Sequence, residues 1–260
     1  MIESTFRHLL VERADGIGWL RYHRPPVNAV DWDMLCELPL ALESLIAATD
    51  TRVIVVASAL DRYFSSGADL RSFGAWRGPR MREWVTICHR MVALLRASPK
   101  PLLAAINGVA VGGGVEIAWH CDVRFAAADA RIGQPEVSIA YLPPIGATQA
   151  LARLMGRSRA LRFLYEGELI GAAEAQALGL VDVVVPPEQL HATVAEYAHR
   201  LAAKPANALA AIRRCVTVGG ALPFDAGLDL ELEEAVALAG SPNFAEGIEA
   251  FLAKRPPRWT

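Results

Sequence analysis

Cysteine is scarce, and its four positions do not pair. Cys36, Cys88, Cys121 and Cys215 lie far apart, with no CxxC step and no pair of histidines to complete a zinc site. A disulfide scaffold and a zinc module are therefore not expected; the four read as reduced core thiols. Charge of one sign is lacking too. The chain has 26 Lys and Arg against 28 Asp and Glu, a formal net charge of −2. No broad field draws it to nucleic acid or to an acidic membrane, and any phosphate it holds must be gripped locally. There is no apolar run long enough to span a bilayer. The opening MIESTFRHLL has no basic segment followed by a long apolar stretch. The expectation is a soluble cytoplasmic protein with neither a nucleic-acid nor a membrane partner.

Several chemical signatures are missing as well. GxGxxG fails because Ile117 stands where the third glycine belongs, and no Walker loop occurs. Ser65 and Ser66 precede Gly67 without the upstream glycine of a nucleophile elbow. Six scattered histidines form neither HExxH nor another metal pattern, and His120 reads as structural.

What is present is an α/β pattern of 260 residues, enough to bury a large core. Residues 6–13 and 16–24 read as strands around the tight-turn pair Asp15-Gly16. The prolines of RPPVNAV, Arg24 to Val30, forbid helix, and Asp31 is placed to cap a helix over about 32–48. Val53 to Ala57 reads as a buried strand, and Arg80 to Arg96 as an amphipathic helix with Trp84 in its core. Trp76 is left open as a pocket residue. Short strands are expected at Val123 to Ala127, Ala130 to Ile132 and Val181 to Val185. From Glu188 the pattern is helix only, with Leu190, Val194, Tyr197 and Leu201 on one face and Leu228, Leu232 and Val236 on another. Such stripes must be covered by the α/β body or by another subunit.

The chain is organised around GVAVGGGVEIAWHCD, Gly108 to Asp122. The apolar run Pro101 to Ile106 reads as a buried strand before it. Gly112, Gly113 and Gly114 make a turn with no Cβ in the way, and the helix that follows leaves its first N–H groups unpaired. Glu116 lies in that first turn. On its residues alone it is either an acid favoured by the helix dipole or half of a device that makes and holds a negative oxygen. A second turn of this kind, in FSSGADL at Phe64 to Leu70, also follows an apolar strand, so both turns can aim N–H groups from one sheet edge. Glu136 lies 20 residues after Glu116 with room to fold back towards it; alone, it reads as a solvated loop acid.

FSSGADL, NGVAVGGGVEIAWHCD at Asn107 to Asp122 and GQPE at Gly133 to Glu136 closely resemble the crotonase, or enoyl-CoA hydratase/isomerase, superfamily over nearly the whole chain. The resemblance implies a crotonase-like ββα spiral over residues 1–195 and a C-terminal helical oligomerisation layer over 196–260, giving a homotrimer or a hexamer. It implies an acyl-CoA substrate, with coenzyme A as part of that substrate, and no metal or other cofactor. The N–H groups of Ala68 and Gly113 would form the oxyanion hole. Glu116 would activate water and Glu136 would move the proton at Cα, with Gln134 orienting the first of these acids. Coenzyme A would lie on Val27, Ala29, Ser66, Ala68, Asp69, Leu70 and Arg71, with Lys254 or Arg255 reaching a neighbour's nucleotide. One departure stands out: Pro144-Ile145 replaces a Gly-Ala pair, which deletes an N–H aimed at the catalytic water and narrows the acyl pocket. Hydration of a 2-enoyl-CoA leads. The alternatives are double-bond isomerisation, decarboxylation, carbon–carbon cleavage, and a non-catalytic coenzyme A scaffold.

Overall fold

The computed structural model describes residues 6–75 and 77–260. The readings of Trp76 and of the first five residues lie outside them.

Strands β1 (Leu9–Ala14) and β2 (Ile17–Tyr22) form the expected hairpin, Ala14 opposite Ile17. Its two turn residues, Asp15 and Gly16, both have positive φ, 52° and 79°, the conformation that matches the twist of a two-residue hairpin. Helix α1 (Trp32–Ala47) starts where the Asp31 carboxylate accepts the Met34 N–H at 2.9 Å. Then come β3 (Val53–Ser58), β4 (Tyr63–Ser65), the short α2 (Leu70–Phe73) and α3 (Gly78–Ala97). They are followed by β5 (Leu102–Ile106), β6 (Val109–Val111) and α4 (Gly113–Glu116). The expected helix after the glycine turn is only this one turn; a 3-10 turn, Ala118–His120, replaces its continuation.

Next in order are β7 (Val123–Ala127), β8 (Arg131–Gly133), a 3-10 segment Pro135–Ile139, α5 (Ala147–Met155) and α6 (Arg157–Glu166). The body closes with β9 (Leu169–Gly171), α7 (Ala172–Ala177), β10 (Val183–Val185) and α8 (Leu190–Ala202). Helices α9 (Ala206–Thr217), α10 (Phe224–Ala239) and α11 (Pro242–Leu252) form the C-terminal layer.

Two sheets result. The larger has the order β1-β2-β3-β5-β7-β10 and is parallel except for the hairpin. The smaller has the order β4-β6-β8-β9. The chain alternates between them: β3 leads to β4, β5 to β6, and β7 to β8, a repeating strand–strand step. One face of the large sheet packs on α1, α3 and the small sheet. The other is covered by α8, whose Leu190, Val194 and Ala198 repeat every four residues against Ile17, Trp19, Val55 and Phe125. The division expected at 195/196 thus falls inside a helix that belongs to the body.

Helix α9 is tied to the body by buried Arg213, whose Nε donates to Asp122 at 2.8 Å and whose Nη2 donates to the Leu95 carbonyl at 2.7 Å. On α10 the predicted stripe exists, but Leu228, Leu232 and Val236 are 46, 60 and 63 % exposed.

Candidate active site

The small sheet places the site. β4, β6 and β8 are parallel, with Ser65 beside Ala110 after a bulge between Tyr63 and Ser65, and Val111 beside Gly133. Their C-terminal ends therefore lie side by side, and the three motifs found separately in the sequence follow from those ends: Ser66 to Ala68, Gly112-Gly113, and Gln134 to Glu136. Ligands of parallel sheets bind outside this edge because the turns there present unpaired N–H groups.

The first turn is held from behind by the early loop. Val30 N–H donates to the Gly67 carbonyl at 2.8 Å, and Asp69 N–H donates to the Val30 carbonyl at 2.9 Å. This parallel bridge uses both neighbours of Ala68 and leaves the N–H of Ala68 pointing away from Val30. Asn28, fully buried with φ 52°, pegs the loop in place: its Nδ2 donates to Ser58 Oγ at 2.9 Å and to the Phe64 carbonyl at 3.0 Å. The sequence reading did not single out Asn28; its signal was an Asn after two prolines, a residue that tolerates positive φ. Arg24 completes the brace, donating to the Ala29 carbonyl at 2.9 Å and pairing with Asp69 at 3.0 Å and Asp31 at 2.9 Å.

The second turn supplies Gly113, the first residue of α4. Ser66, Gly67, Ala68, Gly112, Gly113 and Glu136 all line one cavity of about 200 Å³. Apart from Ser138, the rest of the wall is apolar or aromatic, and includes Leu70, Phe73, Trp84, Ile139, Tyr141, Pro144 and Ile145. Trp84 is buried, as expected of a core residue, and still forms part of this wall.

Both acids converge on the Gly112-Gly113 turn. Glu136 Oε1 lies 2.9 Å from the position a Cβ on Gly112 would take, and Glu116 Oε1 lies 3.9 Å from the Cβ position of Gly113. Glu116 is fully buried, and its Oε2 accepts the Ile145 N–H at 2.8 Å and the Ala147 N–H at 3.0 Å. Burial raises its pKa well above the ordinary value, the Glu136 charge adds to this, and the two N–H bonds oppose it. Glu136, 9 % exposed, is pushed up to about 7, chiefly by burial, with its own backbone N–H opposing the rise. Two acids that stay protonated to unusually high pH suit acid–base work near neutrality.

Three sequence expectations need adjustment. Gln134 was expected to orient Glu116. Its amide serves Glu136 instead: with its nitrogen facing the acid, Nε2 donates to both Glu136 oxygens at 3.1 and 3.0 Å while Oε1 accepts Trp119 Nε1–H at 2.9 Å. The reason is register, since Gln134 directly precedes the short segment that carries Glu136. Next, Glu116 does not line the cavity; Ile145 Cδ1 sits with it at Gly113, 3.2 Å from that Cβ position. Finally, only Cys88 and Cys121 are buried; Cys36 and Cys215 are half-buried.

Of the residues assigned to coenzyme A, Ser66, Ala68 and Leu70 line the cavity. Val27 accepts the Ser66 N–H through its carbonyl at 3.0 Å, beside Ala29. The Asp69 carboxylate caps α2 through the Arg71 N–H at 3.2 Å, and Arg71 is exposed. Lys254 follows α11 with φ 53° and is not part of the cavity. Among the described residues no group of three or more His, Cys, Asp or Glu is arranged to hold a metal ion, and no helix is long and apolar enough to cross a membrane.

A buried acid pair thus meets at a glycine turn on the edge of the small sheet of an α/β fold. The sequence model of the enoyl-CoA hydratase/isomerase family matches residues 12–260, and the chain belongs to that family, the crotonase superfamily. It is 32% identical over 252 residues to a crotonyl-CoA hydratase of Syntrophomonas wolfei, covering 96% of this chain and 97% of that one. It is 37% identical over 261 residues to a 2,3-dehydroadipyl-CoA hydratase of Escherichia coli, with 96% and 97% covered. The crystal structure of an enoyl-CoA hydratase from Bacillus anthracis superposes with a TM-score of 0.92 at 30% identity, covering 97% and 99%.

Proposed function

We propose that this enzyme adds water reversibly across the double bond of a 2-enoyl-CoA thioester through an enolate. The observation that carries the reading is the meeting of Ala68, Gly113 and Glu136 on one cavity, with Glu116 at the same glycine turn. The thioester oxygen sits between the N–H groups of Ala68 and Gly113, and each such donor is typically worth about 3 kcal/mol as charge develops on the oxygen. Water loses a proton to Glu116 as its oxygen bonds to Cβ; the enolate collapses as Glu136 gives its proton to Cα. Oxidation states balance, so nothing beyond water and the thioester is consumed. Coenzyme A runs past the Val27 to Ala29 loop, Ser66 and Asp69, with Arg71 and a neighbour's Lys254 as local cations. A cytoplasmic location belongs to the same reading.

A second reading has its own support. Pro144 offers no N–H to place a water, and Ile145 shares the position of Gly113 with Glu116, whereas Glu136 opens directly on the cavity. Glu136 alone then shuttles a proton between Cα and Cγ, which is double-bond isomerisation. The two readings separate cleanly. Native protein with crotonyl-CoA loses the enoyl absorbance if it hydrates, and both Glu116→Gln and Glu136→Gln abolish this while acyl-CoA binding persists. If only a 3-enoyl-CoA reacts, and only Glu136→Gln stops it, isomerisation is the activity. Binding of acyl-CoA with no turnover of either would leave a scaffold and end both readings.

The exposed stripe on α10, together with Phe224, Phe251 and Leu252 at 75 % exposure or more, is an apolar surface of the kind monomers rarely leave open. We read it as the contact between copies of this chain in a trimer or a hexamer.

A further inference from the structure

The three-residue turn Ala118–His120 lies one residue beyond the helix that carries Glu116, and it touches the supports of both acids. On one side Trp119 Nε1–H donates to Gln134, which in turn donates to both oxygens of Glu136. On the other side His120 Nε2 lies 2.8 Å from the Ile145 carbonyl oxygen. A carbonyl only accepts, so Nε2 carries the hydrogen of that bond. The same residue, Ile145, donates its N–H to Glu116. Imidazole and carboxylate thus grip one peptide strand from its two faces. Gly146, next in line, has φ 83°, and a Cβ there would come within 3.0 Å of His120 Nε2, so the ring is seated against the turn itself.

What makes this contact matter is the poverty of the support around Glu116. Its Oε1 has no hydrogen-bond partner among the described residues. The N–H groups of Ile145 and Ala147, both on Oε2, are therefore the whole polar anchorage of a fully buried acid. The first of these comes from the turn that follows Pro143 and Pro144, and the second from Ala147, the first residue of α5. We propose that this 3-10 turn sets the placement of the two acids, with His120 a positioning residue for Glu116 through Ile145, and Trp119 a positioning residue for Glu136 through Gln134.

The proposal rests on the acid–base roles given above to Glu116 and Glu136. The ring faces Arg96 and is half-buried; burial lowers its pKa, and the neutral form keeps the Nε2 hydrogen the contact requires. Facing Glu116 are Glu136, Cys88 and Tyr141, none of them a cation. Loss of the two N–H bonds would therefore leave nothing to hold the Glu116 pKa down.

Three replacements test the His120 half. Gln places an amide nitrogen close to where imidazole Nε2 stands, Asn falls one carbon short, and Ala removes the donor. With an acyl-CoA that the native protein turns over, H120A and H120N should lower kcat by about 10- to 100-fold with KM changed less than about twofold, and H120Q should recover most of it. The limb of the kcat profile governed by Glu116 should move to higher pH in H120A and H120N but not in H120Q. In ligand-free protein, amide hydrogen exchange at Ile145 and Ala147 should quicken by about tenfold or more in the first two only. Native kcat and native protection in H120A would overturn the proposal, as would equal loss in all three variants, which is the signature of mere packing. Should the native protein turn over no acyl-CoA, the functional reading fails, and the exchange pattern still decides the clamp. If H120A and H120N lose protection throughout the large sheet, W119F decides instead: it keeps the ring packed, deletes one donor, and should lower kcat while moving the limb near pH 7 upward. An unchanged W119F would overturn the Glu136 half.

Discussion

Glu136 fills the place that a side chain on Gly112 would need: its Oε1 lies 2.9 Å from that Cβ position, and Gly112 has φ 55°. The glycine is thus required twice, by conformation and by contact. Gly112→Ala should displace the carboxylate and strain the turn that presents Gly113. The expected outcome is a loss of about 1 to 3 kcal/mol in stability and a fall in kcat of about 100-fold, with the coenzyme A moiety still bound. Denaturant titration and steady-state kinetics check it; an active, stable alanine variant would show that Glu136 need not stand where it does.

The raised pKa of Glu136 gives a signed pH dependence. Its folded value of about 7 exceeds the ordinary 4.5, so folding favours the protonated form. That contribution is complete below about pH 4.5 and is lost as pH rises through 7, amounting to roughly 3 kcal/mol by pH 8. Glu136→Gln, a neutral mimic, should match native stability at pH 5 and exceed it at pH 8, as thermal unfolding at the two pH values will tell. Activity discriminates the readings. Hydration needs the proton on Glu136, and its rate should fall as pH rises through about 7; isomerisation needs it off, and its rate should rise over the same range.

Local signals made much of the framework legible. Asp15-Gly16, the Asp31 cap and the apolar run at Val53 each act over a few residues, and each stands where its spacing placed it. Three of the four strands of the small sheet were the real gap, since Tyr63–Ser65, Val109–Val111 and Leu169–Gly171 are only three residues long; Arg131–Gly133 alone was expected, one residue early. A period of two cannot declare itself in three residues; these strands exist because their neighbours pair with them. The two glycine turns were correctly expected on one sheet edge, but the sheet that owns the edge was invisible. Gln134 was assigned to Glu116 by resemblance alone, whereas its place two residues before Glu136 gives it to that acid. The bonds from Trp119 and His120 span 15 and 25 residues, and no periodicity encodes such a contact.

The exposed stripe of α10 predicts an assembly. Burying Leu228, Leu232 and Val236 against a second copy removes apolar surface at about 25 cal/mol per Å², whereas a carboxylate there must be desolvated. Native protein should sediment as a trimer or a hexamer, and Leu232→Glu should shift it towards monomer at micromolar concentration while the body stays folded. A native protein that sediments as a monomer would refute the interface.

The cavity's far wall is built of aromatic rings. Phe73 meets Tyr141 edge-on at 5.2 Å and Trp84 at 5.8 Å, and Tyr141 is pinned by its hydroxyl to Met81 Sδ at 3.3 Å. Among the described residues that line the cavity, Glu136 is the sole charged side chain. A carboxylated acyl tail would be buried there without a cation, which costs several kcal/mol. Crotonyl-CoA should therefore exceed 2,3-dehydroadipyl-CoA in kcat/KM by at least about 100-fold, in contrast to the activity named for the Escherichia coli relative. Phe73→Ala opens the wall where the three rings meet, and should raise kcat/KM for eight-carbon enoyl thioesters relative to crotonyl-CoA by about tenfold. Competition between chain lengths in one reaction reads the ratio directly, and a ratio unmoved by Phe73→Ala would mean that the acyl chain leaves the cavity by another side.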